Sequence, residues 1–546
     1  MAGNTAQADD DLCKECASLK LSVHDFLSSV DNVSRNTSER TSFHKIALPA
    51  TNILSGRRCR FCRFLIAAFV DCNPQALGKE SPLWDGVDCT LEWVQDGRSI
   101  GQIGKNTALT RRLRLSTTNK SISDAYLVLM APEGQSHRFL GRSINPLRID
   151  VNMIRRWLRD CEMYHGTKCA PLSATSTERL LKNPRFRVID VWSECVVTGI
   201  DGPFIALSYV WGDVQPHRLT KSNAHQFFRP GALTEMSLQI LRTIRDALEV
   251  TKQLGYRYIW IDSYCIIQDD VDDTTTMIQL MDMIYTAASL TICAAEGAAA
   301  HSGISGILAA NRNSPQITVQ YEKDVCLMAS ESAESYIARS VWNSRAWTFQ
   351  ERLCSTRSLV FAEGRAFFQC RTSSMREDIH MESTTSNDYD SGWSLELKDV
   401  PGRLFSENPV RQYTKCTELF TERKMAYDND KLKAFSAIQS ILSNNMNSDF
   451  HFALPTAYFD FALLWIPLTP TRRLPGFPSW SWCGWGAKVE YKYQTLEGGF
   501  ANLHEWCNTR TWITWYRKAS QSDRFEYIWD GRRGGLPGRW SGYTVQ

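Results

Sequence analysis

Between Pro203 and Glu351, short apolar runs alternate with stretches in which apolar residues return every three or four positions, the signatures of strand and helix. The run PFIALSYVWG, bounded by Pro203 and Gly212, has the length of a buried strand. Leu238, Leu241, Ile244, Leu248 and Thr251 then follow a helical period, and Leu254-Gly255 supplies a C-terminal stop. YRYIWID reads as a second strand. The acidic run Asp269 to Asp273 precedes Met277, Leu280, Met281 and Ile284, as expected of a helix whose N-terminal dipole favours negative charge. SLTICAAEG reads as strand three. Strand, helix, strand, helix, strand in this order predicts an α/β unit, a parallel sheet with flanking helices.

The surroundings are patterned differently. Phe64 to Val70 and Ile154 to Tyr164 read as helices, and residues 377–399 are rich in Ser, Thr and Asp, as a loop would be. DKLKAFSAIQSIL is helical in period, LPGFPSWSWCGWG predicts short aromatic strands, and the tail around GRRGGLPGRWSG reads as irregular. This divides the chain into an N-terminal Cys-containing α+β region (1–195), the α/β domain (196–375), a polar linker (376–400) and a C-terminal α+β region (401–546). A length of 546 residues calls for more than one core.

Composition narrows the partners. Lys plus Arg number 62 against 59 for Asp plus Glu, so charge gives no reason to expect nucleic acid or an anionic membrane, and protein surfaces are the expected partners. No apolar run reaches membrane-span length and the N-terminal residues are acidic and polar, which predicts a cytoplasmic protein. The oligomeric state is left open. Most of the 17 cysteines are expected to be free buried thiols, Cys265 and Cys293 among them.

Three clusters stand out for chemistry: Ser208-Tyr209-Val210-Trp211-Gly212-Asp213, then Trp260-Ile261-Asp262-Ser263-Tyr264-Cys265-Ile266-Ile267-Gln268, then Arg345-Ala346-Trp347-Thr348-Phe349-Gln350-Glu351. In a parallel sheet the loops after the strands gather at one edge, which would bring Gly212 and Asp262 together there. Asp262 has two readings, a rim carboxylate or a cap and arginine partner. Trp211, Trp260 and Trp347 read as core aromatics before a stacking platform. Arg345 and Glu351 could form a buried ion pair.

In order and content these blocks resemble those of the fungal heterokaryon incompatibility (HET) domain, written roughly ALSYxWG, WIDxxCIxQ with a following MxxIY helix, and RxWTxQE; Met281, Ile284 and Tyr285 match the helix. Flanking Cys161, His165 and Cys169, Asp430-Lys431-Leu432 and Pro478-Ser479-Trp480-Ser481-Trp482 resemble the family's usual surroundings. The resemblance implies non-self recognition and programmed cell death signalling through protein interaction. It also implies a distant TIR-like kinship, and several TIR domains split NAD with a helix glutamate. Here the corresponding helix position is Met277, with Thr274 where a Trp is usual, so NAD cleavage would need Asp262, Asp272 or Asp273 as substitute. Whether the chain is an enzyme stays open.

Two metal readings complete the candidates. Cys13-x-x-Cys16 and Cys59-x-x-Cys62 supply four soft ligands for zinc, provided the fold brings their sulfurs about 3.5–4 Å apart; the alternatives are packed thiols or redox chemistry, with His44 and Cys72 as substitute ligands. Cys161, His165 and Cys169 share a helical face, without an evident fourth ligand. GxSxG, GxxxxGK[ST], HExxH and glycine-rich dinucleotide motifs are absent from the sequence.

Overall fold

A computed structural model describes residues 11–28, 48–49, 59–73, 88–96, 109–119, 122–132, 139–170, 174–212, 217–308, 311–312, 316–381, 409–492, 513, 515–518 and 524–528. The chain forms two compact units, each assembled from separate segments: 1–169, 304–338 and 359–400 in the first, 170–303, 339–358 and 401–546 in the second.

In the first unit an antiparallel sheet carries the core. Its path runs Thr318–Glu322, Val325–Ser330, Ala125–Leu129, Leu109–Thr117, Asp88–Asp96 and Leu48–Pro49. One face is covered by the helix Arg60–Cys72, because Phe61, Phe64, Leu65, Ala68, Phe69 and Cys72 recur at helical spacing and all are buried. Each large apolar side chain so placed contributes about 1.5–3 kcal/mol. A second helix, Val151–Tyr164, is capped by Asp150, whose carboxylate accepts from the Asn152 and Met153 amides. It buries Met153, Ile154, Trp157, Leu158 and Cys161, and the Trp157 ring lies 6.4 Å from that of Phe368. Phe368 sits on the strand Arg365–Cys370, which pairs antiparallel with Ser374–Arg376.

The second unit holds the α/β element. Its strands are β1 (Arg187–Asp190), β2 (Cys195–Thr198), β3 (Phe204–Ser208), β4 (Tyr258–Trp260) and β5 (Leu290–Ala294), in the order β5-β3-β4-β1-β2. The three strands read from sequence do pair in parallel, β3 with both β4 and β5. The all-parallel expectation needs correction beyond them, since β1 adds antiparallel to β4 and closes a hairpin with β2. Among the described residues the fold is mixed α/β with mostly antiparallel pairing. Hairpins pair neighbours antiparallel at low loop-closure cost, whereas each parallel pair needs a helical crossover. Here α1 (Arg242–Leu254) is the crossover to β4, ending at Gly255 with φ +86°. The next is broken at Leu280 into α2 (Val271–Gln279) and α3 (Met281–Ala287), two helices where the periodicity suggested one.

After β5 come α4 (Ala346–Cys354), α5 (Pro409–Thr421) and α6 (Lys431–Met446), packed around Phe349, Leu353, Tyr413, Phe420, Phe435, Ile438 and Leu442. The aromatic stretch expected as strands folds instead as turns and a 3-10 segment, Trp482–Gly484, which sinks the Trp482 ring 5.1 Å from Phe435 and 5.8 Å from Phe420. Lys431 lies under it, donating to the Trp485 carbonyl at 2.6 Å with its ammonium over the Trp482 ring. The stretch expected to begin the polar loop opens with buried residues: Glu377 pairs with Arg312, and Asp378 with Arg376 at 2.6 Å. Positions 382–408 and the tail from 529 lie outside the described residues.

Candidate functional site

The three sequence blocks meet in the second unit. β3 ends at Ser208, so its hydroxyl leaves the sheet edge, where it donates to the Glu351 carboxylate of α4 and accepts from the Trp342 indole N–H at 2.8 Å. Tyr209 shares a hydrogen bond with Ser263, hydroxyl to hydroxyl, at 2.7 Å, and its carbonyl accepts from Arg345 at 3.3 Å. Trp211 donates its indole N–H to Asp262 at 2.9 Å, so the blocks around 208 and 262 do converge at the ends of β3 and β4. Gly212 has φ +76°, and a Cβ there would stand 2.2 Å from that of Ala299, so close approach as well as backbone angle requires glycine.

Asp262 opens the short helix Asp262–Cys265, whose N-cap is Ile261, and its carboxylate accepts from the Ser263 amide at 2.6 Å. Gln268 ties this turn down through the Asp262 and Ile266 carbonyls, at 3.0 and 3.2 Å. Cys265 is buried, which pushes its thiol up to about 12, and it packs in the domain interior. Met281 and Tyr285 are buried on α3; Tyr285 donates to the Leu207 carbonyl at 3.3 Å and meets Trp260 edge-on at 5.6 Å. Trp260 is fully buried, as a core aromatic should be, whereas Trp211 and Trp347 are half-buried. Gln350 is buried on α4.

The anticipated Arg345–Glu351 ion pair does not form. Arg345 bonds the Tyr209 carbonyl, and Glu351 takes the Ser208 hydroxyl. Burial pushes the Glu351 carboxyl up to about 7, against the Ser208 hydrogen bond that lowers it, and pushes Asp262 up to about 6. A carboxyl near pH 7 suits acid–base work, yet Ser208, Tyr209, Tyr285 and Glu351 are all buried and hydrogen-bonded within the domain.

The acidic residues considered as substitutes for a helix carboxylate on α2 are otherwise engaged. Asp273 is buried in a bidentate pair with Arg187, at 2.9 and 3.0 Å, and also accepts from the Ile267 amide at 2.7 Å. Asp270 caps the helix, Asp272 is exposed, and Met277 is fully buried. Sequence reasoning assigned no role to Trp342 or Ser263. A signal for Trp342 was present, a further Trp three residues before Arg345.

The cysteine pairs of the first unit lie far apart in sequence and close in space. Cys13 and Cys59 each serve as the N-cap of a helix, with sulfurs accepting from the Cys16 and Cys62 amides. Cys62 stands 3.5 Å from Cys16 and 3.9 Å from Cys13, and all four sulfurs lie within 4.8 Å of one another. The Tyr321 hydroxyl donates to the Cys16 carbonyl at 2.7 Å and Arg60 to the Tyr321 carbonyl at 3.0 Å, pinning both turns to the sheet. The hydrogen bond from Cys16 holds the Cys62 thiol down to about 6. Such a set can hold a metal ion. Cys72 is buried outside it, and His44 lies outside the described residues. Cys161, His165 and Cys169 also come together, joined by Cys370. The described cysteines are all free thiols, and no described helix is long and apolar enough to cross a membrane.

Residues 204–351 match the family model described as Heterokaryon incompatibility protein (HET). Among curated proteins the chain is similar to Heterokaryon incompatibility protein 6, OR allele, of Neurospora crassa, with 37% identity over 101 residues, 17% of this chain and 15% of that protein. The similarity thus spans a small part of the relative's length. No solved structure matches the chain. The matched stretch begins at the first residue of β3 and ends at Glu351, enclosing the hydrogen-bonded cluster from Ser208 to Glu351, and the chain accordingly carries a HET domain over residues 204–351.

Proposed function

We propose that this chain acts in fungal heterokaryon incompatibility, its HET domain relaying non-self recognition toward programmed cell death through protein contacts, without bond-making at the motif cluster. The match over residues 204–351 carries the reading. The state of the cluster supports the absence of chemistry: Ser208, Asp262 and Glu351 are hydrogen-bonded within the domain, and Asp273 is taken by Arg187. In this reading residues 196–375 form the signalling domain, and the regions 1–195 and 401–546, beyond a linker at 376–400, govern when it engages a partner. Free thiols throughout the described residues suit the reducing cytoplasm. Induced expression in a fungal host where another HET protein arrests growth tests it. Arrest by the wild type and by Asp262→Asn and Glu351→Gln is expected; no arrest by the wild type, or nicotinamide released from NAD by pure protein, overturns the reading.

We also infer that Cys13, Cys16, Cys59 and Cys62 hold a structural zinc ion. Four thiolates at these separations satisfy a tetrahedral ion whose Zn–S bonds measure ~2.3 Å, and a fully protein-ligated ion has no open position for substrate. Metal analysis of the pure chain is the check. Absence of zinc, with the thiols reactive toward a small alkylating agent, would make them packing residues.

A further inference from the structure

We infer that Cys161, His165, Cys169 and Cys370 form a second closed zinc site, with three sulfur ligands and one nitrogen, which clasps together the chain segments on either side of the HET domain. The four residues come from three elements of the first unit. Cys161 lies in the last turn of the helix Val151–Tyr164, His165 is that helix's C-cap, Cys169 ends the 3-10 turn Gly166–Cys169, and Cys370 ends the strand Arg365–Cys370. The helical spacing of the first two and the tight turn at Gly166, with φ +52°, aim the three N-terminal ligands at one point. The fourth arrives from 205 residues beyond His165.

The geometry is that of a coordination shell around a common centre. His165 Nδ1 stands 3.3 Å from Cys370 Sγ and 3.9 Å from Cys169 Sγ, and the four ligand atoms all lie within 4.8 Å of one another. A tetrahedron with Zn–S of ~2.3 Å and Zn–N of ~2.0–2.1 Å has ligand–ligand edges of roughly 3.5–3.8 Å. All four side chains are buried, with Cys161 at 0% and Cys169 at 1% exposure. The surroundings are arranged for anionic sulfur. Cys370 Sγ accepts from the Thr372 and Ser373 amides at 3.4 and 3.2 Å, and the Thr372 hydroxyl lies 3.5 Å from Cys169 Sγ. Amide N–H groups directed at a sulfur stabilise a thiolate and orient it, the task of groups behind a metal ligand.

Three thiolates and a neutral imidazole around Zn2+ leave one net negative charge, spread over sulfurs that accept these N–H bonds. On binding, three S–H protons are released to solvent as three Zn–S bonds and one Zn–N bond form. With four protein ligands no position remains for water or substrate, so the site is a brace rather than a catalyst. Its place in the chain gives the brace a purpose: Cys169 precedes residue 204, where the stretch matching the family model starts, and Cys370 follows residue 351, where that match ends. The metal therefore ties the segments that flank the matched stretch into one structural unit.

The test is metal stoichiometry on the full-length chain purified without added metal. Wild type is expected to hold two zinc ions, Cys370→Ser one, and Cys16→Ser one, so that the two sites fail separately. One zinc in wild type that persists in Cys370→Ser overturns the proposal while leaving the first site intact; none at all overturns both. Should Cys370→Ser not fold, X-ray absorption on the wild type decides. An average shell of about 3.5 sulfurs and 0.5 nitrogens per zinc is expected from one all-cysteine site and one site with a single histidine, and a pure four-sulfur shell refutes the second. His165→Cys, which preserves the ligand number, should retain both ions with a four-sulfur average.

Discussion

The HET cluster of the second unit and the cysteine clusters of the first are both buried and polar, yet they are satisfied in opposite ways. Around Ser208, donors and acceptors are matched within the protein: Trp342 to Ser208, Ser208 to Glu351, Trp211 to Asp262, Arg345 to Tyr209. Around Cys62 and Cys370, ligands of one kind face one another, with sulfur and nitrogen acceptors turned to a common point. The first arrangement is filled by side chains and backbone at Ser208, Tyr209, Asp262 and Glu351, although the buried Trp260 indole N–H, Tyr264 hydroxyl and Gln350 side-chain oxygen nearby make no hydrogen bond among the described residues. The second is a set that can hold a cation. Buried polar groups demand partners in both cases, and the supplier of the partner, side chain or ion, separates a domain motif from a metal site.

Removing metal should break this contrast most visibly. Structural zinc binds with an apparent ~10–16 kcal/mol in small zinc-dependent peptides, so stripping the full chain with a strong chelator is expected to destabilise the first unit more than any substitution below. Hydrogen exchange should then show amides of 60–72 and 151–164 losing protection while those of β3 and β4 keep theirs. Equal loss in both units would mean the two kinds of cluster are not independent.

Next in size is Asp273→Asn, which leaves the buried Arg187 guanidinium without its carboxylate. Breaking one side of a buried pair costs about 3–5 kcal/mol, to be read as a lowered urea midpoint of the second unit. A midpoint within experimental error of wild type would show that Arg187 finds water or another acceptor.

Glu351→Gln sharpens the contrast through pH. The folded carboxyl lies at about 7, above its ordinary 4.5, so its contribution is fully present below about pH 4.5 and is lost as pH rises through about 7. The wild type should lose about 3 kcal/mol of stability over that window relative to Glu351→Gln, while Asp262, raised to about 6, gives both proteins the same trend and so drops out of the comparison. Unfolding midpoints of both proteins at pH 5 and pH 8 supply the comparison; parallel pH profiles would mean that Glu351 is not desolvated. The smallest effect is expected from Trp342→Phe, which keeps an aromatic ring and removes the N–H to Ser208, for about 1 kcal/mol in the same unfolding assay. A loss above about 3 kcal/mol would assign Trp342 a packing role beyond the hydrogen bond.

Much of this was legible in residue order, and where it was not the reason is physical. Helices were readable because their signals are local: the apolar stretch Phe64 to Val70, the acidic run Asp269 to Asp273 at a helix start, the stop at Gly255. The three parallel strands were readable from their alternation with helices. The hairpin of β1 and β2 was not, because short strands with polar edges such as Arg187 and Asp190 give weak alternation, and antiparallel addition to β4 is a long-range choice. The aromatic run around Trp482 has the composition of a strand, and only packing among Phe420 and Phe435 made it a turn.

The sequence by itself marked the local half of each cluster: the HET blocks, the two CxxC turns, and the helical face of Cys161, His165 and Cys169. Tertiary structure alone decided how the halves were completed. It took Asp273 for Arg187, gave Glu351 to Ser208 in place of Arg345, and carried Cys370 to His165 across 205 residues. Spacing along a helix or turn is fixed by bond geometry and can be counted, whereas a contact between distant segments depends on the burial of everything between them and leaves no local trace.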